Sequence, residues 1–337
     1  MKALSPGVDA SQMSGRPISR LKAFAYRFQV ECRMFAVFLI LGAVLSVSSS
    51  HFLSLGNIAN LMDQSVVTGI VAIGQTFVIL VAGIDLSVGA LTGISAVILG
   101  LAMTSAGLPI PMAIFGSLIC GALLGLINGL LVTFGRIAPF IVTLGMMSIG
   151  RSLAYIVSNG NSISSLPESF AVFGSADMSG IPANFIFVVA LFVVAWSYLS
   201  YTKGGRTIYA IGSNIEAARA SGLKVSYYMT FAYVLSGALS AVGGVMLSSR
   251  LMSIDPVAGT GLELDAIAAV VIGGASLFGG RGSMIGTFLG VLIMVMIRNA
   301  LNLLNVGPYW QGSAIGAIII IAVLAERFAS TRLSRKR

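Results

Sequence analysis

Long apolar runs alternate with short polar connections along almost the whole chain, and this pattern predicts membrane-spanning helices. A spanning helix needs about 20 mostly apolar residues to cross the hydrocarbon core of a bilayer. The runs that approach this length are 34–50, 65–83, 86–106, 110–134, 138–158, 184–201, 226–249, 262–278, 283–304 and 312–326. The short run 312–326 also fits a partial or re-entrant helix. The segment 52–63 predicts a short interfacial helix instead of a span.

The first apolar run, 34–50, follows a long basic segment and is followed by three serines. This arrangement has some features of a cleaved signal peptide. Because the leader would be unusually long and more spans follow, we favour an uncleaved first helix.

Composition agrees with a membrane protein. Of the 337 residues, 57% are hydrophobic and 9% are charged, whereas soluble domains have about 45–50% apolar and about 25% charged residues. A soluble protein so poor in charge could not cover its surface with polar groups. We therefore predict an all-α polytopic membrane protein. With two cysteines and only His51 as a histidine, neither a disulfide framework nor a His-based zinc cluster is expected.

The basic residues set the orientation of the predicted helices. When the N-terminus is placed inside, all but three of the 20 lysines and arginines fall in inner segments, as the positive-inside rule requires. The exceptions are Arg151, Arg250 and Arg298. The asymmetry predicts about ten transmembrane helices and two cytoplasmic termini. Basic residues therefore serve orientation, and no nucleic acid partner is expected.

Three regions follow from this topology. Residues 1–33 form a basic cytoplasmic N-terminal segment, residues 34–326 form the transmembrane domain, and residues 327–337 form a basic cytoplasmic tail. The longest inner connection of the transmembrane domain is 202–225.

That inner connection contains the signature of a short helix. Ser213 is a predicted N-cap, and Glu216 follows three residues later, which together make a capping box. Alanines follow, and Gly222 suits the left-handed residue after a helix end. The pattern predicts a cytoplasmic helix of about eight residues, about 12 Å long at 1.5 Å per residue. Such a helix is marginal alone; it is either an ordinary connecting turn or a docking site for a cytoplasmic partner.

The string IGSNIEAARASGLKV in this connection resembles the cytoplasmic loop of ribose-type ABC importer permeases. Three more stretches are similar to that family: VAIGQTFVILVAGIDLSVGAL at 71–91, NGLLVTFGRIAPFIVTLGMM at 128–147, and AGTGLELDAIAAVVIGGASLFGGRGSMIGT at 258–287. The resemblance covers residues 52–326 and is specific to the family, but much less to the sugar.

The resemblance implies a permease subunit in the bacterial inner membrane that conducts a monosaccharide, with ribose as the first expectation. It also implies a separate ATPase subunit that binds ATP, a periplasmic sugar-binding protein and a second permease chain. An identical second chain is favoured over a different one. In the family the matching loop is the coupling helix that seats in the ATPase. The coupling residues would be Ser213, Asn214, Glu216, Ala217, Ala218 and Gly222.

Two acidic motifs flank apolar spans. In GIDLSVG, residues 83–89 at the predicted inner side, Asp85 or Ser87 can cap the next helix, and a role in the pathway is the alternative. In GTGLELD, Thr260 and Glu263 predict a second capping box at an outer helix end. Glu263 and Asp265 either cap that helix or contact an external binding protein.

Polar residues inside spans are costly in hydrocarbon and are therefore candidates for function. The candidates for a translocation pathway are Gln75, Asn128, Thr143, Arg151, Arg298, Asn299 and Asn302. Amides can donate and accept, as a sugar hydroxyl requires. Interhelical hydrogen bonds would use the same groups, and the two arginines could instead extend to the outer headgroups.

The chain has no Gly-Lys dipeptide and hence no Walker A loop, so a transport subunit that is not itself an enzyme is expected, with no cofactor and no metal of its own. The alternative is a secondary sugar transporter driven by an ion gradient. Such carriers place acids or histidines at membrane depth, and the predicted spans leave the acids at helix ends. A membrane enzyme would show clustered carboxylates, and the acids here are scattered.

Overall fold

The computed structural model of the chain describes residues 29–178, 180–307, 310–317, 320–321 and 324. The predicted N-terminal segment lies outside the described residues up to residue 28, and the predicted tail 327–337 lies wholly outside them. Most of the end of the last predicted span, 312–326, also lies outside them.

The described chain is mostly helical. Its helices are α1 (Gln29–Ser48), α2 (Leu55–Leu80), α3 (Val88–Thr104), α4 (Ile110–Thr133), α5 (Pro139–Val157), α6 (Val172–Ser175), α7 (Ala183–Tyr201), α8 (Lys203–Ser213), α9 (Ile215–Ala220), α10 (Val225–Leu251), α11 (Leu262–Ile272) and α12 (Met284–Leu303). A 3₁₀ turn at Glu168–Ala171 and a two-stranded hairpin, β1 (Asp177–Met178) with β2 (Ile181–Pro182), lie in the long connection before α7.

Seven helices of the described chain are long and apolar enough to cross a membrane: α1, α2, α4, α5, α7, α10 and α12. An all-α polytopic membrane protein is therefore confirmed. α3 is apolar but shorter, with 17 residues. The predicted span 262–278 is wrong, because α11 has only 11 residues. The helix ends where Gly273 and Gly274 follow it, and Gly274 takes a left-handed conformation (φ 89°).

The predicted interfacial helix 52–63 is also wrong as a separate element. Ser54 caps α2 by accepting a hydrogen bond from the Asn57 amide (3.3 Å), and the helix continues unbroken to Leu80. At 26 residues, α2 is about 39 Å long. It therefore exceeds the thickness of the hydrocarbon core, about 30 Å.

Helices α2 and α10 form the centre of the bundle. The second half of α2, from Ser65 to Leu80, is almost completely buried, and α10 packs against α2, α3 and α4. On α4, Gly121, Gly125 and Gly129 recur every four residues and meet the backbone of α10. A Cβ at Gly125 would overlap the carbonyl oxygen of Tyr233. Small residues therefore let these two helix backbones touch, as is common in membranes.

The connection between α2 and α3, residues 81–87, turns back into the bundle. Ala82 takes a left-handed conformation (φ 61°), and Asp85 and Ser87 are fully buried. Asp85 contacts Ser236, which lies near the middle of α10. Farther along, Thr92 of α3 meets Gly244 of α10. Helix α3 thus begins at about half the depth of α10, which explains its short length.

Candidate functional site

The connection predicted to be cytoplasmic, residues 202–225, folds into two helices separated by a single residue. α8 (Lys203–Ser213) is capped by Thr202, which accepts from the Gly205 amide (3.0 Å). α9 (Ile215–Ala220) follows after Asn214 alone, an extended residue (φ −163°, ψ 105°). The Asn214 side chain accepts from the Ala217 amide (2.9 Å). The predicted short helix is present, with six residues.

The predicted capping box of Ser213 and Glu216 is wrong. Ser213 is the last residue of α8, and its hydroxyl donates to the Tyr209 carbonyl (2.8 Å). Asn214 takes the cap one position later. Both residue types cap helices well, so the sequence alone did not separate them. Gly222 has the predicted left-handed conformation (φ 77°).

Helix α9 presents most of its surface to solvent. Only Ala218 is buried, where it joins the core cluster of the protein. Glu216 and Arg219 form an exposed ion pair (3.4 Å), and Ala217 is exposed as well. A six-residue helix held by one buried alanine and one cap leaves its remaining face free for a partner.

The last turn of α8 is tied to the turn that precedes α12. The Tyr209 hydroxyl donates to the carbonyl of Gly282 (3.0 Å). Burial, and to a lesser degree the charge of Glu31, raises the pKa of the Tyr209 phenol. The phenol therefore keeps its proton and its donor role at neutral pH.

Asp85 is the centre of a buried polar cluster in the break between α2 and α3. Its Oδ1 accepts from the amide (2.9 Å) and the hydroxyl (2.6 Å) of Ser87. Its Oδ2 accepts from the hydroxyl of Ser236 on α10 (2.9 Å). Ser87 is the N-cap residue of α3 but makes no side-chain cap hydrogen bond, so the predicted side-chain cap by Asp85 or Ser87 is wrong. The carboxylate instead holds Ser87, directly before α3, and joins it to α10.

Three of the predicted pathway residues surround this same break. Asn128 of α4 donates to the Ser87 hydroxyl (2.9 Å), and Thr143 of α5 donates to the Ile84 carbonyl (3.1 Å). The Gln75 amide, oriented to satisfy both groups, donates to the Asp85 carbonyl (3.1 Å) and accepts from its amide (3.3 Å). All three side chains are fully buried. In this conformation they hold the break together.

Asp85 lies between the end of α2 and the start of α3, at a helix end as predicted. Its hydrogen bond with Ser236 places it beside the middle of α10 and not beside an end of that helix. Sequence reasoning also missed Ser236 and Tyr233, whose hydroxyl lies against Gly83. Both are far from Asp85 along the chain, and serines and tyrosines inside spans are too common to mark a site.

A second cluster joins α11 to its neighbours. Arg298 of α12 pairs with Asp265 (2.5 Å), and Arg151 of α5 donates to the Thr260 hydroxyl. Oε1 of Glu263 accepts from the Gly261 amide (3.3 Å), and its Oε2 lies over Gly89 in the first turn of α3. The arginines thus bind protein groups.

The predicted capping box of Thr260 and Glu263 is wrong, because Gly261 occupies the N-cap and makes no side-chain bond. The carboxylate of Asp265 is buried, with 9% of its side chain exposed. Oε2 of Glu263 is buried too. Their contact with a binding protein stays a prediction.

The two asparagines of α12 make different contacts. Asn299 and Asn57 of α2 exchange two amide hydrogen bonds (2.7 and 3.1 Å), which is interhelical bonding of the kind expected. Asn302 is exposed and accepts from Gln311 (2.8 Å). They do not converge on one site. Among the described residues, no group of three or more side chains has the composition of a metal site.

The exposed faces of α4 and α5 are both largely apolar, but the α5 face also contains small residues. Gly145, Ser148 and Ser152 are exposed and share one side of α5 at spacings of three and four, beside large exposed side chains such as Ile141. The exposed residues of α4 are large and apolar, such as Ile119. Both faces suit lipid, and the small residues on α5 also allow close approach of a second helix.

Comparison with known proteins places the chain among transport permeases. The family of permease components of branched-chain amino acid transport systems matches residues 57–323. The chain is 42% identical to the ribose import permease protein of Haemophilus influenzae over 310 residues, which cover 91% of this chain and 96% of that protein. No solved structure matches.

Two further relatives are similar. The ribose import permease protein of Bacillus subtilis is 46% identical over 290 residues, 86% of this chain and 90% of that protein. The D-allose transport system permease protein of Escherichia coli is 36% identical over 309 residues, 90% of this chain and 95% of that protein.

Proposed function

The chain belongs to the ribose-type family of ABC importer permeases. From this premise we propose that it conducts a monosaccharide across the bacterial inner membrane, and that the monosaccharide is ribose. The matched family places it there as a multi-pass protein. Membership also implies an ATPase subunit and a periplasmic binding protein as partners. The similarity to ribose and allose permeases over about nine tenths of the chain supports a monosaccharide as the substrate.

The description of the matched family names branched-chain amino acids, whereas the relatives above are named for sugars. A zwitterionic amino acid is bound through charged side chains or helix-end dipoles that face its carboxylate and its ammonium group. The polar side chains surrounding the α2–α3 break are mostly amides and hydroxyls, which suit a neutral polyol. These side chains therefore favour a sugar over an amino acid as the substrate.

The observation that carries the coupling proposal is the exposed surface of α9. A separate ATPase can transmit its movement to the permease only through a cytoplasmic element to which it binds. α9 offers Glu216, Ala217 and Arg219 outward while Ala218 anchors it to the core. We assign ATPase coupling to Asn214, Glu216, Ala217, Ala218 and Gly222, with Ser213 holding the end of α8.

During alternating access, the contacts around the α2–α3 break and around α11 would open and close in turn. In the conformation described here, Gln75, Asn128 and Thr143 are closed around Asp85. The other pathway candidates lie in the C-terminal halves of α5 and α12: Arg151, Arg298, Asn299 and Asn302. We propose that sugar passes between two identical permease chains that face each other through α5.

ATP-driven uptake in reconstituted vesicles tests the proposal. The permease, its ATPase and its sugar-loaded binding protein should hydrolyse ATP and take up sugar, while Glu216→Lys should insert normally and lose coupling. Exposed ion pairs contribute about 0–1 kcal/mol, so losing the pair with Arg219 does not endanger folding. The matched control is Glu168→Lys, an exposed charge reversal in the connection before α7.

Uptake of a panel of substrates in the same vesicles identifies the transported sugar. Ribose, allose, galactose and leucine, each with its own binding protein, should separate the sugar from the amino acid. Uptake by the permease alone, driven by an imposed proton gradient without ATPase, would overturn the importer proposal and favour the ion-coupled carrier.

A further inference from the structure

The end of α8 contacts the core through backbone atoms at one point, which we call the glycine junction: Gly212 of α8, Leu80 at the end of α2, and Gly280 in the turn before α12. We propose that Gly212 is a positioning residue that transmits displacement of α9 to the break between α2 and α3. The inference rests on the proposed function of α9 as the coupling helix.

Three segments meet at the glycine junction without intervening side chains. The Gly280 amide donates to the Leu80 carbonyl (3.0 Å), one of the carbonyls that lack a partner within the helix at its C-terminal end. Gly212 covers this bond, and a Cβ there would overlap both the Leu80 oxygen and the Gly280 nitrogen.

The coupling side of the junction is short and restrained. Ser213 lies against Gly280, where an added Cβ would come within 2.7 Å of the Ser213 nitrogen. Asn214 alone separates Ser213 from α9. One turn earlier, Tyr209 is bonded to Gly282. Because the last turn of α8 is held at two places, a displacement of α9 must move it as a unit.

The membrane side of the junction leads directly into the break. Two residues after Leu80, Ala82 lies against Gly279 of the turn before α12. Asp85 and the start of α3 come next. Side chains can absorb a shift by changing rotamer, whereas backbone atoms in contact have no such freedom. The junction is therefore suited to carry a displacement from α9 into the segment that Asp85 holds closed.

The test measures sugar uptake per ATP hydrolysed in vesicles that hold the permease, its ATPase and its binding protein. Gly212→Ala inserts a methyl group into the junction, and Tyr209→Phe removes one hydrogen bond without adding bulk. The matched controls are Gly116→Ala, at a helical glycine with nothing within 4 Å of an added Cβ, and Tyr227→Phe, at an exposed tyrosine.

We expect Tyr209→Phe to lower uptake per ATP by about fivefold, the factor that corresponds to about 1 kcal/mol for one hydrogen bond, and Gly212→Ala to lower it further. ATP hydrolysis per folded complex should persist, and the controls should match the parent.

The other outcomes are decisive as well. If both junction variants keep the parental uptake per ATP, the inference is wrong. A proportional fall of hydrolysis and uptake, together with a lower melting temperature, also overturns it, because it shows a structural role alone. If Gly212→Ala does not fold, the uptake per ATP of Tyr209→Phe alone decides: a parental value overturns the inference, and a lower value supports it. Parental vesicles without any ATP-driven uptake would instead refute the importer function.

Discussion

At the scale of single residues, the Asp85 carboxylate has to be satisfied inside the bundle. Burying a charged or polar group without partners is costly, and here two oxygens accept three hydrogen bonds from Ser87 and Ser236. Asn128 adds a bond to the Ser87 hydroxyl. Each acceptor lost at this site leaves a donor without a partner in the protein interior.

Asp85→Ala should therefore destabilise the protein more than Asp85→Asn, which keeps one acceptor. Leaving a buried polar group unsatisfied costs about 1–3 kcal/mol, so Asp85→Ala should lose several kcal/mol. Unfolding in detergent, followed by circular dichroism, measures the difference. Glu168→Ala, at an exposed residue, is the control. Equal stability of Asp85→Ala and the parent would contradict the role of the cluster.

The sequence predicted the local part of this cluster and missed the distant part. The motif at 83–89 indicated the helix break, because glycine and a short acid favour such a break in their own segment, but the side-chain cap that it also indicated is absent from α3. Ser236 is 151 positions away, and nothing local marks it. At the other site, Asn214 replaced Ser213 as the cap because α8 continues to Ser213, and this length depends on its packing against the core.

At the scale of helices, the contact of α4 with α10 depends on the absence of side chains. Gly121, Gly125 and Gly129 place the α4 backbone against Gly237, Tyr233 and Thr230. Lipid tails are as apolar as leucine, so helix association in a membrane depends on close packing and not on water exclusion. A larger residue in this row separates the helices along their length.

Gly125→Leu should prevent this contact, since even a Cβ at that position would overlap the Tyr233 carbonyl. Overpacking typically costs about 1–3 kcal/mol; a rigid backbone neighbour places this variant at the upper end. Gly116→Leu, on the same helix with open space around it, is the control. Thermal stability in detergent should fall for the first variant only; a similar melting temperature for both would exclude the packing argument.

Hydropathy predicted the long helices within a few residues and failed where an apolar segment is not one straight helix. The run 262–278 is apolar throughout, yet α11 stops at Ile272, since local glycine geometry and not hydropathy ends it. The opposite error occurred at 52–63, where Asp63 and polar neighbours interrupted the apolar run although the helix continues. The length of an apolar run therefore does not show whether the run forms one complete spanning helix or only part of one.

At the scale of the whole molecule, large apolar side chains are exposed on α4, α5 and α7 alike, as contact with lipid requires. The α5 face differs in one respect, because Gly145, Ser148 and Ser152 form a row of small exposed residues among them. Small residues allow close approach of a second helix in a membrane. We therefore expect the second permease chain on the α5 side.

Cysteine cross-linking in membranes tests this arrangement. In a background that carries Cys32→Ser and Cys120→Ser, Ser148→Cys should form a covalent dimer with its own copy on mild oxidation, because facing helices bring symmetry-related α5 residues together. Ile119→Cys, exposed on α4, is the matched control and should stay monomeric. Efficient cross-linking through Ile119→Cys alone would move the pairing face to α4. Failure of Ser148→Cys and Ser152→Cys with a second copy, but success with a different permease expressed beside it, would replace the identical pair by a mixed one.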